Sequence, residues 1–556
     1  MASLQAYQSH HIRYWRIVES YRKDNGKPAL RVLAHLGRVD DILELHRGAD
    51  AAPVKVSSVS AGAVTALYGL AQELDLPGRI DRAVARGGVV QTRDGLSVGK
   101  SLLAAIIARA CAPRSKRAFA EWAKSTYLPE LMDFKAAALT SQHFWDQMQA
   151  LPVAKLAELE QQLVSEVVRR EQLKLRALAY DTTNFYTHIA TTNARPQLPQ
   201  RGHNKQRRHD LRQLGLALIV DQATRYPLGH VLYEGARSDM RTFAEFLKPL
   251  RRHLAQLSAE AEQLTLVFDA GASSKLNLAS VEHFVTAVRP SDHRALLAEA
   301  SAQLAPVPLT NGTEVQAWRT TRLIAGAERE VVIVLSPQLL AGQLRGLTQS
   351  LDRCTRELTA MLASTRLTEA AAKRKLTRLC ARQYLRALLC HEVQRDARGE
   401  LQIRLWCDVP EYQRLLKRYL GLRVLITDRR EWSTAEIIEA YRGQSKVEAA
   451  FRDLKDPHML ATRPQFHWTD QKLHVHVFLC VTAYLLVTML HRRATQRVAF
   501  EGSARRLLSE LTQLRCCRLI DVTGRKGRPR VRWQIEDTEP EQRALLNAIN
   551  AIPTLT

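Results

Sequence analysis

Acidic residues are in short supply. The 556-residue chain has 56 Asp plus Glu against 81 Lys plus Arg, a formal net charge of +25 and a pI near 10.0. Such a surplus favours a polyanionic partner, because each neutralised phosphate releases condensed counterions, and nucleic acid is the first candidate. Long apolar runs are missing as well. The longest uncharged apolar stretch, Val477 to Leu490, falls short of the roughly 20 residues needed to span a bilayer and reads as a buried helix. The eight cysteines show no C-x-x-C pair, which argues against zinc knuckles and a disulfide framework; reduced, packed thiols are expected. The N-terminus, MASLQAYQSHHIRYWRIV, lacks the apolar core of a signal peptide, so a cytoplasmic protein is expected. No G-x-S-x-G nucleophile signature occurs. Gly99-Lys100-Ser101 ends like a phosphate-binding loop, but Asp94 stands where the first glycine belongs and no apolar strand precedes it. Ser97 is read instead as a helix cap. His474 and His476 stand two apart within a helix, on different faces and not at one metal.

What is present is ordinary globular composition, 46% hydrophobic and 25% charged, at a length that predicts about three to five domains. Residues 11–37 alternate around Asp24-Asn25-Gly26, a hairpin signal, so 1–57 is read as a small β-rich unit. Apolar residues then recur at three and four, as in Leu102, Ile106, Ile107 and Leu156, Leu159, Leu163, Val167, predicting a helical domain over 58–174. It is expected to bind DNA ends or to dimerise. From 175 the period changes. Strands are predicted at 175–181, 214–221, 228–233, 264–269 and 283–288, with helices from Ser238 and over 273–281, giving the order β-β-β-α-β-α-β. The 291–425 stretch is read as an insertion with strands at 331–335 and 401–406. In it Leu344, Leu347, Leu351, Cys354, Leu358 and Met361 form a seam that suits either a helix packed on its own domain or a dimerising coil. A strand at 423–427 leads into a helix capped by Ser433 with Glu436 three residues on. Residues 426–500 complete the core and 501–556 form a basic tail with GRKGRPRVR at 524–532.

Three carboxylates stand out by position. Asp181 ends the first predicted strand (LAYDTT), Asp269 ends the fourth (LVFDAG), and Glu448 lies in the late helix (YRGQSKVEAAFRDLK). Strands one and four of such a sheet are able to be neighbours, so two carboxylates leave one edge together and a helix brings the third. Oxygen ligands of this kind suit Mg²⁺ with substrate phosphates, and two such ions serve phosphodiester chemistry. For any one of these acids alone, a turn or cap is the plain alternative. Tyr441, Glu448 and Lys455, seven apart, are predicted to share one helix face, flanked by Arg442, Lys446 and Arg452.

The stretch YRGQSKVEAAFRDLK resembles the Tyr-Arg-Glu-Lys signature of bacterial insertion-sequence DDE transposases, and the DTT context of Asp181 and FDAG context of Asp269 resemble that group's first two catalytic aspartates. The resemblance covers roughly residues 10–500. It implies an α/β multidomain protein with an RNase H-like core, interrupted between strand five and the Glu-bearing helix, and an α-helical N-terminal domain. It implies that Asp181, Asp269 and Glu448 hold two Mg²⁺, with Mn²⁺ able to substitute. It further implies cleavage of element ends and joining of the 3′-OH to target DNA. Partners would be double-stranded DNA, as terminal inverted repeats and target, and a second copy in a homodimer; the setting would be a bacterial cytoplasm, at the nucleoid. One position departs: Gln444 occupies the place of the signature Arg, so that either Arg442 or Lys446 contacts the phosphate or end-processing is weakened. Lys205, Arg207 and Arg208, in the basic loop 201–212, and Tyr441, Arg442, Lys446 and Lys455 are the candidate DNA contacts, which would set affinity and not sequence. Trp432 and Trp468 suit either base stacking or core packing. Two rivals stand: a metal-dependent nuclease or resolvase that cuts without joining, and an inactive basic DNA-binding protein.

Overall fold

The computed structural model describes residues 2–549 apart from 10–11, 24, 48–53, 86–91, 203–207, 239–241, 248, 250–263, 364–366, 382–383, 398, 464–466 and 522–530. At the N-terminus β1 (Ala2–Ser9), β2 (Ile12–Arg22) and β3 (Pro28–Gly37) form an antiparallel sheet. The β2–β3 turn places Gly26 at φ +76 and bonds its N–H to Lys23 O at 2.8 Å, the left-handed geometry a glycine adopts at little cost. Asp24 of the predicted turn lies outside the described residues.

β4 (Val54–Ser60) precedes a helical stretch whose main members are α1 (Gly62–Glu73), α2 (Val98–Cys111), α3 (Ser141–Ala150) and α4 (Val153–Arg170). A two-residue hairpin, β5 (Thr92–Arg93) with β6 (Leu96–Ser97), leads into α2. Ser97 accepts Lys100 N–H at 3.1 Å, so Gly99-Lys100-Ser101 opens a capped helix. Leu102, Ile106, Ile107, Leu156, Leu159, Leu163 and Val167 are all buried, as their spacing requires.

Next come β7 (Ala177–Tyr186), β8 (Gln213–Asp221), β9 (Pro227–Glu234), β10 (Thr265–Phe268), β11 (Phe284–Val288), β12 (Ala305–Pro308), β13 (Glu314–Ile324) and β14 (Ala327–Leu335). Then α5 (Pro337–Leu362) and the hairpin β15 (Leu389–Arg395) with β16 (Leu401–Cys407) build a separate lobe before β17 (Leu422–Thr427) returns. The nine-stranded mixed sheet runs β12-β13-β14-β17-β11-β10-β7-β8-β9. In it β7, β10 and β11 are mutually parallel while β8 is antiparallel to both β7 and β9. Strands β12 to β14, inside 291–425, therefore extend the same sheet, and the lobe between β14 and β17 has its own cores. The seam of α5 is used there: Leu347, Cys354 and Met361 are buried against the 369–380 helix, the 385–388 turn and the hairpin.

After β17 follow α6 (Thr434–Arg442), α7 (Ser445–Lys455), α8 (Asp470–Val498) and α9 (Ala504–Gln513). Alternate sheet residues face two cores. Phe268, Phe284 and Ile426 join the large core containing α8, whereas Val267, Val285 and Leu425 meet Ile437, Ile438 and Tyr441 of α6. Among the described residues one helix, α8, is long and apolar enough to cross a membrane, but 94% of its apolar window is buried inside the fold; apolar residues all round mark a core helix. Its buried Arg493 reaches Glu73 and Glu171 at 2.8 and 2.9 Å, joining α8 to α1 and the end of α4. Later in the chain β18 (Arg515–Asp521) and β19 (Val531–Ile535) join β4 in a sheet ordered β19-β18-β4, and a helix over Pro540–Ala548 follows. Of GRKGRPRVR, 524–530 lie outside the described residues, and Val531 and Arg532 begin β19.

Candidate active site

The register of the two parallel strands sets the first two carboxylates. Thr265, Leu266 and Val267 of β10 pair with Ala177, Leu178 and Ala179 of β7. Asp269 and Asp181 each lie two residues beyond the last pair, on the face of Val267 and Ala179. The 88-residue spacing is thus the strand register itself. Asp181 does not end its strand as the sequence suggested: β7 continues to Tyr186 because the antiparallel ladder to β8 persists through Tyr186 and Gln213. Asp181 marks where β10 stops. Both acids also bind the adjacent main chain, Asp181 accepting Thr182 N–H at 2.8 Å and Asp269 accepting Ala270 N–H at 2.7 Å, the turn-and-cap bonding expected of any Asp there.

The signature region departs from the sequence expectation of one continuous helix with Tyr441, Glu448 and Lys455 on one face. Its start holds, since Ser433 accepts Glu436 N–H at 3.2 Å and Glu436 accepts Ser433 N–H at 2.8 Å. It then breaks at Gly443-Gln444. Gln222, just beyond β8, donates its side-chain N–H to Ala440 O at 2.9 Å, taking the carbonyl that the Gln444 N–H would use in a continuous helix. Gln444 N–H bonds Tyr441 O instead, at 3.1 Å. A Cβ on residue 443 would lie 2.1 Å from Gln222 Oε1, so glycine leaves room for the Gln222 amide that a larger residue would displace.

Tyr441 and Glu448 consequently sit on separate helices. On α6, the buried Tyr441 accepts a hydrogen bond from Arg423 at 3.0 Å and donates to Asp269 Oδ1 at 3.4 Å. Burial first, and the Asp269 charge second, push its phenol up to about 12, so it is a hydrogen-bonded neutral group at ordinary pH. On α7, Gln444 at the N-terminus donates to Tyr180 O at 2.6 Å and the Lys455 ammonium reaches the Thr183 hydroxyl. The helix is fastened along the β7 segment that carries Asp181, and Glu448 is exposed one turn after Gln444. Among the described residues no three His, Cys, Asp or Glu side chains converge on a common metal position. The donor set offered is three carboxylates, two at one sheet level, which suits a hard divalent cation.

The remaining predicted contacts scatter. Arg442 and Lys446 are exposed beside the break. Arg208 is paired with Asp210 at 2.9 Å and lies over Tyr186 at the end of β7, while Lys205 and Arg207 lie outside the described residues. Trp432 is buried under Arg176 and Arg429; Trp468 is 60% exposed. Sequence reasoning missed Arg423 and Gln222. Neither had a local signal, because each matters only once β17 and β8 are placed.

The family model of the transposase DDE domain matches residues 172–486, and that of the IS1634-family transposase N-terminal domain matches residues 6–53. No curated protein matches. Among solved structures, the cryo-EM structure of a piggyBac transposase synaptic complex with hairpin DNA is similar at 9% identity and a TM-score of 0.39, covering 80% of this chain and 79% of that one, too low a score to bear on the fold. The DDE domain spans more than half of the sequence and contains all three carboxylates, so the chain belongs to the bacterial insertion-sequence DDE transposases and is a DNA transposase enzyme.

Proposed function

We propose that Asp181, Asp269 and Glu448 are the catalytic carboxylates of an RNase H-like core, in a transposase that cleaves the ends of its element and joins the 3′-OH to target DNA. The observation that carries this reading is the register that sets Asp181 and Asp269 side by side two residues beyond the last β7–β10 pair. The strand order β9-β8-β7-β10-β11, with only the second strand reversed, supports the RNase H-like assignment. Residues 175–290 and 426–500 then form the core, 291–425 the interrupting segment, 1–57 and 58–174 the end-binding or dimerising units, and 501–556 the C-terminal unit.

The three carboxylates would hold two Mg²⁺, or Mn²⁺, which supply charge neutralisation and activation of the attacking oxygen in phosphodiester transfer. The chain's own residues do the positioning. Tyr441, itself bonded by Arg423, holds the Asp269 side chain, Gln444 and Lys455 hold α7 against β7, and Arg442 and Lys446 offer cations beside the carboxylates for the DNA backbone. Arg208, over Tyr186 at the end of β7, would extend that charge, and Lys205 and Arg207 remain candidate contacts by sequence alone. Gln444 acts as a fastener and not as a phosphate ligand, since it is buried and bonded to main chain. Two ends require two active sites, so a homodimer acting on double-stranded inverted repeats and target at the bacterial nucleoid is the working assembly.

The test is incubation of the protein with Mg²⁺ or Mn²⁺, a plasmid target and linear DNA bearing the gene's own flanking sequence, beside Glu448→Gln. Joined donor–target products that vanish in the variant are expected. Cutting without joining would replace this reading with the nuclease, and products that persist in Glu448→Gln would remove the residue from the site.

A further inference from the structure

A cleft of about 810 Å³ opens between the helical region and the segment following α7. It is lined by Arg109 at the end of α2, Lys116, Trp145 on α3, and Arg463, His467 and Trp468. None of its lining residues is acidic, and among the described residues neither Arg109, Lys116 nor Arg463 forms an ion pair. The Lys116 ammonium donates to His467 Nε2 at 2.8 Å. That bond assigns the ring proton to Nδ1, and Nδ1, on a side chain only 6% exposed, has no partner among the described residues. His467 also packs against the buried His476, with ring centroids 4.5 Å apart and the rings tilted by 33°. Burial, with Arg109 and Lys472 nearby, lowers Lys116 to about 8. Partly desolvated cations and an orphaned donor, with no anion among them, make a site whose missing component is negative charge.

The cleft's mouth is aromatic. Trp145 receives Lys116 at 5.0 Å and Lys472 at 5.1 Å from its ring centroid, and the exposed Trp468 ring lies 6.3 Å from it. A chain of contacts links the cleft to the carboxylates. Arg463 donates to Lys455 O at 3.3 Å and sits over Tyr186, while Lys455 bonds Thr183, two residues from Asp181 on β7. Alternating cations and rings along such a line match a nucleic-acid strand, phosphate by phosphate and base by base.

We propose that this cleft is a second DNA-holding site: Arg109, Lys116 and the His467 Nδ1–H take a backbone phosphate of a strand running from the catalytic carboxylates, and Trp468 stacks the attached base. Only the direction of the strand rests on the reading of Asp181 as catalytic. The phosphate belongs either to the element end or to the target.

The test uses the full chain with metal chelated, so that chemistry plays no part, and two fluorescent duplexes, one bearing the element's flanking end and one unrelated. Dissociation constants are measured across salt for Lys116→Gln, Arg109→Gln and Trp468→Ala, with Lys116→Arg as the charge-retaining control and Lys124→Gln, outside the cleft, as the surface control. Each charge removal is expected to weaken binding and to lower the slope of log K against log salt by about 0.9, with Lys116→Arg restoring it and Lys124→Gln without effect. Trp468→Ala, at an exposed position that leaves folding undisturbed, is expected to weaken binding about fivefold or more. A loss on the end duplex alone assigns the donor strand, a loss on both includes the target, and either supports the site. Slopes and affinities unchanged on both duplexes in folded variants overturn it. Absence of joining in metal would strike the proposed chemistry while leaving this binding result standing.

Discussion

Gln444 donates to the Tyr180 carbonyl at 2.6 Å, and that bond fastens the N-terminus of α7 beside Asp181. An Arg there would bring a charge into a position only 6% exposed. Gln444→Ala is expected to lower stability by about 1–3 kcal/mol, through the buried carbonyl left unpaired, and to raise hydrogen exchange in α7. Exchange in α7 equal to that of the parent protein would show that packing alone holds the helix.

Removing a carboxylate tests the chemistry. Asp181→Asn and Glu448→Gln are each expected to slow metal-dependent cleavage by at least about a hundredfold, since metal ligation supplies several kcal/mol of transition-state stabilisation at 1.36 kcal/mol per decade. Metal-free DNA binding should stay intact. Cleavage retained within a few fold in either variant would move the site elsewhere.

The helix break predicts its own cost. Gly443→Ala places a methyl 2.1 Å from Gln222 Oε1, so Gln222 must withdraw and surrender Ala440 O. A destabilisation of about 1–3 kcal/mol is expected, measured by denaturant midpoint, and Gln222→Ala in the same chain should relieve part of it. No relief in the double variant would mean that glycine serves another purpose.

At the far end of the fold, Arg493 is 9% exposed between Glu171 and Glu73. Arg493→Met leaves two carboxylates facing each other in a largely buried place, with an expected loss of about 3 kcal/mol or more. Thermal unfolding of Arg493→Met against Arg493→Met with Glu73→Leu and Glu171→Leu checks it, the triple variant recovering stability.

Lys116 gives a pH dependence with opposite signs for two properties. Its ammonium is lowered from 10.5 to about 8 by burial first and by Arg109 and Lys472 next, with Cys480 acting the other way; His467 and His476 face it too and are held neutral by their own burial. The unfolded chain therefore binds more protons between pH 8 and 10.5, and this residue's contribution to stability rises with pH across that window. DNA affinity should fall over the same window as the charge is lost. Comparing the parent with Lys116→Gln from pH 7 to 10 isolates both effects; parallel binding curves would show that Lys116 meets no phosphate.

Much of this site could be read from local sequence, and the rest depended on distant residues. Asp269, just beyond β10, was legible from local pattern, and the Ser433–Glu436 box needs only a spacing of three, whereas Asp181 lies within β7 and not at its end. The spacing of seven between Tyr441, Glu448 and Lys455 misled, since it is consistent with an unbroken helix and the break is imposed by Gln222 from another strand. The length of β7 was underestimated for a similar reason: β8, not the residues after Asp181, decides where it ends. Of the cleft around Lys116 only Trp468 carries a sequence signal, as a candidate for base stacking; the rest is not local, because its lysine and histidine lie 351 residues apart.

The β19-β18-β4 sheet pairs β4 with β18, from Arg515–Ser60 to Asp521–Val54. Such sequence-distant closure is slow to form. During synthesis β4 waits for its partner until about 460 further residues have followed it, so a chain cut short before Arg515 would leave β4 with an unpaired edge, open to aggregation.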